Sequence, residues 1–152
     1  MATTKATKKD NIREIAPAVE PELVETEQAD GEEELDKLLK EVKPVIIHDE
    51  EHGHDYKLEF DRDSVRFAED HDFKIDDIED RQMTRVPELF YFAFRKNHMR
   101  MSRQQTDKIL FDDLGGATPE LVARLSLLYA IPYRTLFNQT GKPKNPRVTM
   151  EL

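Results

Sequence analysis

Hydrophobic residues recur with a period of two in one part of this chain and with a helical period elsewhere. Tyr56, Leu58 and Phe60 alternate with charged residues, as expected of a half-buried β-strand. The apolar residues 45–47 predict a second strand, and the polar residues 48–55 between the two predict a turn. Together they predict a β-hairpin, which must pack on helices because an isolated hairpin is only marginally stable.

After the hairpin the apolar residues follow helical spacing, and helix-start signals divide the region. The four predicted N-caps are Ser64 or Asp63, Thr84, Ser102 and Thr118. The predicted helices span about residues 65–71, 84–98, 103–114 and 119–131, with a kink or an end at Pro132 and a final turn at 133–137. We therefore predict an α+β fold, in which an N-terminal β-hairpin packs on a small bundle of about four helices.

Charge divides the chain into an acidic and a nearly neutral part. Residues 1–63 carry 9 basic and 19 acidic side chains, whereas residues 64–152 carry 14 and 13. Residues 1–30 have no aromatic residue and no sustained apolar period, so they are predicted to be disordered. The predicted organisation is a disordered acidic arm, residues 1–43, an α+β domain, residues 44–137, and a polar tail, residues 138–152.

One segment of the acidic arm, residues 33–43, has helical character. Leu35, Leu38, Leu39 and Val42 fall at i, i+3, i+4 and i+7, and acids precede lysines as the helix dipole favours. We predict that this stripe docks on the body, on another copy or on a partner. The other interpretation is a nascent helix that frays in solution, because the segment is short.

Composition disfavours several classes of function. The absence of cysteine excludes disulfides and thiolate metal sites, and no apolar run approaches the roughly 20 residues that a membrane helix needs. Net negative charge argues against general nucleic-acid binding. The chain also lacks the Gly-x-Ser-x-Gly, phosphate-loop and His-Glu-x-x-His motifs. We therefore predict a cytoplasmic protein that is no enzyme, with no catalytic residue, no cofactor, no nucleic-acid partner and no membrane association.

Two features leave alternative functions open. Histidines and acids in the turn at 48–55 offer metal ligands, but consecutive polar residues on a turn seldom converge on one point, so no metal is predicted. The helix pair near residues 103–131 has the arrangement of a helix-turn-helix DNA-binding regulator. Its second helix offers only Arg124 and Ser126 on the polar side, which favours an antiparallel pair in a core.

Two stretches carry a resemblance to a known family. They are YKLEFDRDSVRFAED, residues 56–70, and IEDRQMTRVPELFYFAFRKNH, residues 78–98. This chain resembles the tail assembly chaperones of long-tailed siphophages over about residues 44–137. Those proteins are small, with a β-hairpin leading into a helical domain, and the long acidic arm departs from their compact pattern.

The resemblance implies a non-enzymatic role. Such chaperones bind the long, aggregation-prone tape measure protein, keep it soluble, and are displaced as tail tube protein polymerises around it. The resemblance further implies self-association, contact with the major tail tube protein through a frameshifted longer form, and a place in the host cytoplasm but not in the mature virion. We predict that Tyr91, Phe92 and Arg95 face a partner, together with the stripe of residues 35–42, whereas Phe90 and Phe94 face the core.

Overall fold

The structure, a computed structural model, describes residues 31, 33–138 and 140–152. The predicted disorder of residues 1–30 lies outside these described residues. Among the helices of the described part, none is both long enough and apolar enough to cross a membrane.

The chain divides into two compact units, the first ending at Glu41 and the second beginning at Val42. In the first unit, the described residues 33–41 form a helix, α1. The second unit contains the hairpin and every remaining helix of the described chain.

The second unit opens with a two-stranded antiparallel sheet and continues with helices, which confirms the predicted α+β fold. Its elements are β1 (Val45–Asp49), β2 (His54–Leu58), α2 (Arg62–Asp70), α3 (Gln82–Ala93), α4 (Arg103–Lys108) and α5 (Pro119–Leu136). A 3-10 turn, Ile75–Asp77, precedes α3, and α4 continues into a π-helical turn, Ile109–Asp113.

The hairpin pairs Val45 with Leu58 at one end and Asp49 with His54 at the other, in continuous register. Both strands extend into the stretch predicted as a turn, so the turn itself is shorter than residues 48–55. Gly53 has φ +68° in this turn, a left-handed conformation that glycine adopts without a steric penalty.

Side-chain hydrogen bonds fix β2 to the residues that follow α3. The Lys57 N–H donates to Nε2 of His98, and Nδ2 of Asn97 donates to the Lys57 carbonyl, each over 3.0 Å. Nζ of Lys96 lies 2.9 Å from Oε1 of Glu59. Burial opposes ionisation of Glu59, but the hydrogen bonds from Lys96 and Asn97 outweigh it and lower the pKa of this carboxyl. The hairpin is thereby held against the helical part of the unit.

The core lies between the hairpin and helices α2, α3 and α5, and aromatic rings supply much of it. Phe60 packs edge-on against Tyr129, with ring centroids 5.0 Å apart. Phe90 and Phe94 are buried, as predicted, and their centroids lie 5.1 Å apart in the same geometry. Edge-to-face pairs of this kind stabilise a core by about 0.5–1.5 kcal/mol beyond the area that they bury.

Several helix ends differ from the prediction. Asp61 caps α2 in a capping box: it accepts the Ser64 N–H, and the Ser64 hydroxyl accepts the Asp61 N–H, each over 2.8 Å. Helix α3 begins before the predicted cap Thr84 and ends at Ala93 rather than near residue 98. The predicted caps of the last two helices are confirmed. Helix α5 does not end at Pro132 but continues through it to Leu136, so the predicted final turn belongs to the same helix.

Candidate functional site

An open apolar groove lies in the second unit, between the first half of α3, the π-helical turn after α4 and the first half of α5. Its volume is about 700 Å³, and eleven of its fifteen lining residues are apolar. The side chains of Met83 and Phe111 line it and are 93% and 52% exposed. A surface of this kind gains free energy when a partner covers it, because apolar area is then removed from water.

The polar residues of the groove leave its walls largely apolar. The Thr118 hydroxyl accepts a backbone N–H of α5 over 3.1 Å, and the Ser126 hydroxyl donates to the Val122 carbonyl over 2.8 Å. Both side chains thus direct their hydrogen bonds to their own helix. Glu79 and Gln82 are the remaining polar lining residues, and both are exposed. The groove therefore favours an apolar occupant with polar groups at its edges.

The π-helical turn explains why Phe111 reaches the groove. The Leu114 N–H donates to the Ile109 carbonyl over 2.9 Å, a five-residue spacing that widens the helix. Ile109 and Leu110 stay buried, whereas Phe111 and Leu114 are exposed. The helical spacing of residues 103–114 predicts that all four of these residues face the core, and this prediction is wrong for Phe111 and Leu114, which the wider turn rotates outward.

Met83 lines the groove because α3 begins earlier than predicted, at Gln82. It lies in the first turn of that helix, before the predicted cap Thr84, so sequence reasoning missed it. Pro87 lines the same groove and has no N–H, so the Met83 carbonyl lacks the hydrogen bond that residue 87 of an α-helix normally donates. The wall of the groove thus holds an exposed side chain beside a backbone acceptor without its usual helical donor.

The partner-facing residues predicted on α3 occupy different environments. Phe92 is 3% exposed and packs edge-on against Phe67 and Phe73, so the prediction that it faces a partner is wrong. Tyr91 is half-buried, and the Arg95 guanidinium lies 3.9 Å from the centroid of the Phe67 ring. The face of α3 that carries Phe92 is covered by α2 and by the residues that follow α2. Tyr91, Phe92 and Arg95 therefore do not form a continuous open surface.

The residues of the predicted stripe at 35–42 also differ in their exposure. Leu35 and Leu38 are 41% and 54% exposed on α1, whereas Leu39 is buried. Val42 is half-buried and packs on the core of the second unit. Leu35 and Leu38 thus remain accessible for the predicted contact with a partner.

The hairpin turn brings Asp49, Glu51 and His52 together, with one potential ligand atom of each within 4.8 Å of the others. Both carboxylate oxygens of Asp49 already accept hydrogen bonds from His52, over 2.9 Å from Nδ1 and 3.1 Å from the backbone N–H. The side-chain bond lowers the pKa of Asp49 and raises that of His52. His48 instead bonds Asp55 over 2.8 Å. His48 and His52 therefore bond to separate carboxylates instead of converging on one metal position.

Residues 32–152 match a family model described as "Domain of unknown function (DUF5055)". The chain belongs to this family. The hairpin, helices α2 to α5 and the groove between them all fall within the DUF5055 match. Neither a curated protein nor a solved structure matches the chain. The description of the DUF5055 family names no function.

Proposed function

We propose that this protein is a non-enzymatic phage tail assembly chaperone, which holds an amphipathic helix of the tape measure protein in the groove. The observation that carries the proposal is the open apolar groove with Met83 and Phe111 exposed along it. Groove-binding helices insert apolar side chains spaced at i, i+3 or i+4, and i+7. Burying a side chain the size of Met or Phe contributes about 1.5–3 kcal/mol. Covering Met83 and Phe111 would therefore favour association with such a helix.

The resemblance of about residues 44–137 to siphophage tail assembly chaperones suggests the partner. The tape measure protein of such phages is mostly long amphipathic helix, which exposes apolar stripes until tail tube protein surrounds it. A groove that covers one stripe at a time would keep that helix soluble and release it without any chemical step. The proposal places this activity in the host cytoplasm, with tail tube protein as a second partner and self-association as a further property.

The same surface argues against the alternative of a DNA-binding regulator. A recognition helix presents basic and amide side chains to base edges. The first half of α5 instead lines the apolar groove, carries Glu120 in its first turn, and bonds Ser126 to its own backbone. Asp112 and Asp113, just before α5, would repel a phosphate backbone.

The test is co-expression of the full chain with a tape measure protein from the same phage genome, which the proposed function predicts to be encoded nearby. The wild-type protein should keep the tape measure protein in the soluble fraction and co-purify with it. Met83→Glu combined with Phe111→Glu should reduce the affinity at least about 100-fold, because two apolar contacts are replaced by charges. Both side chains are exposed, so the melting temperature should stay close to that of the wild type.

Met99→Glu is the matched control, because Met99 is also exposed but lies outside the groove. It should bind like the wild type. Undiminished binding by the groove variant, or failure of the wild-type chain to bind any tape measure protein, would overturn the proposed function. A gel shift that weakens with added salt would favour the DNA-binding alternative instead.

A further inference from the structure

We infer that the occupant of the groove is an amphipathic helix whose apolar stripe is flanked by lysine or arginine side chains. This inference rests on the proposed helix-binding function and adds the charge of the partner to it. Two sides of the groove come from residues 75–83 and 110–120. They contain seven acidic residues and one basic residue, Arg81.

Six of those acids form no ion pair among the described residues, and this group is called the acidic rim below. Asp77 is the exception, because its carboxylate lies 3.3 Å from the buried Arg85. The acidic rim consists of Glu79, which lines the groove, and of five acids that lie within two residues of a lining residue in the chain. Those five are Asp76, Asp80, Asp112, Asp113 and Glu120, and all six side chains are exposed and form no ion pair with another described residue.

The third side of the groove, in α5, adds one cation next to a lining residue, Arg124. Lys74 and Lys108 lie one and two residues from lining residues, so with Arg81 and Arg124 four cations stand against the six acids, and the acidic rim remains in excess. A partner that places carboxylates along this rim meets like charge, whereas a partner with cations there gains attraction and faster association.

Pro87 gives a second reason, independent of charge, to expect lysine or arginine side chains at the groove edge. Because it donates no hydrogen bond, the Met83 carbonyl in the same wall lacks its normal helical donor. A lysine or arginine beside the apolar stripe of an incoming helix carries N–H donors and a long apolar stem, so it can cover the groove edge and donate to such an acceptor. A carboxylate side chain has only acceptors when ionised and cannot do so.

The test uses two synthetic 18-residue helical peptides with the same leucine stripe, one flanked by lysines and the other by glutamates. Binding to the full chain is measured by fluorescence anisotropy at low and high salt. The lysine peptide should bind at least about tenfold more tightly at low salt, and the difference should shrink as salt screens the rim.

The chain as a whole carries a net charge of −9, so local and global attraction must be separated. Asp112→Lys with Asp113→Lys reverses part of the acidic rim, and Asp63→Lys with Asp70→Lys makes the same charge change on exposed positions of α2. The rim variant should lose most of the preference for the lysine peptide, and the α2 variant should keep it.

Equal binding of the two peptides, or equal loss of preference in the two variants, would overturn this inference. It would leave the helix-binding function intact wherever Met83→Glu with Phe111→Glu still abolishes binding. If Met83→Glu with Phe111→Glu weakened the binding of neither peptide, the inference and the proposed function would both be overturned, because the groove would then not be the binding surface.

Discussion

The backbone N–H of Lys57 donates to Nε2 of His98 across 41 positions of the chain, over 3.0 Å. Nε2 accepts a hydrogen bond only while that nitrogen carries no proton. The imidazole also packs edge-on against Tyr56, with centroids 5.4 Å apart, and its burial lowers the pKa of His98. Neutral His98 thus joins the hairpin to the end of the third helix, and a proton on it competes with that contact.

Acidification is therefore expected to destabilise the fold through His98. Its pKa is lowered in the folded state, so the unfolded chain takes up this proton first as pH falls below about 6.5. The free energy of unfolding should consequently decrease from about pH 7 towards pH 5, and the contribution is fully present only above the unfolded pKa. Urea unfolding across this range measures the slope.

His98→Gln is the informative comparison, because glutamine keeps an acceptor and does not titrate. It should show a flatter dependence on pH than the wild type. His52, whose pKa is raised by Asp49, contributes with the opposite sign, but it is present in both proteins and cancels in the difference. Identical slopes in the two proteins would contradict the assigned role of His98.

Phe92→Ala should destabilise the protein by about 3–5 kcal/mol, since it removes a buried ring from the core. Phe111→Ala removes the same atoms from a half-exposed site in the groove and should cost about 1 kcal/mol or less. Urea denaturation of the two variants measures both values. Similar stabilities for the two would mean that the ring of Phe92 lies outside the core.

Asp61→Ala should cost about 0.5–2 kcal/mol, because the first turn of the second helix loses the side chain that accepts the Ser64 N–H. Asp61→Ser retains a capping oxygen without the charge and should recover most of the loss. Thermal or urea unfolding measures the difference between the two variants. If both were equally destabilised, the carboxylate charge, and not the capping hydrogen bond, would be the stabilising feature.

Chelation is expected to leave the protein unchanged. Only three potential ligands, Asp49, Glu51 and His52, come together in the described hairpin turn, and His48 is bonded to Asp55 instead. A structural zinc site holds four protein ligands. The melting temperature with EDTA should equal that with added zinc. Elemental analysis that found one metal ion per chain, together with a melting temperature lowered by EDTA, would contradict this expectation and revive the metal-dependent alternative.

The outline of the fold is predictable because its signals are local. Alternation at Tyr56, Leu58 and Phe60 specifies a strand within a few residues, and a cap such as Thr118 followed by proline specifies a helix start. The burial of Phe92 is not local. Its helix is apolar on two faces, and only the packed structure shows that Phe67 and its neighbours cover the second one.

The groove was missed for a related reason. Three consecutive apolar residues, Ile109, Leu110 and Phe111, cannot all face one side of a helix, and this was the available signal. Which of them turns outward depends on a π-helical turn that has no distinctive pattern in the sequence. The position of Met83 depends in turn on a helix start without a side-chain cap. Both exposed residues therefore follow from backbone geometry that hydrophobic spacing does not encode.

The contacts at Lys57 also limit how the two-stranded sheet can grow. The N–H and carbonyl of this residue point away from the first strand, and His98 and Asn97 already occupy both. An extended segment from another chain therefore finds no free pairing groups at this position of the edge. A third strand therefore cannot pair with Lys57, which hinders growth of the sheet on the side of the second strand.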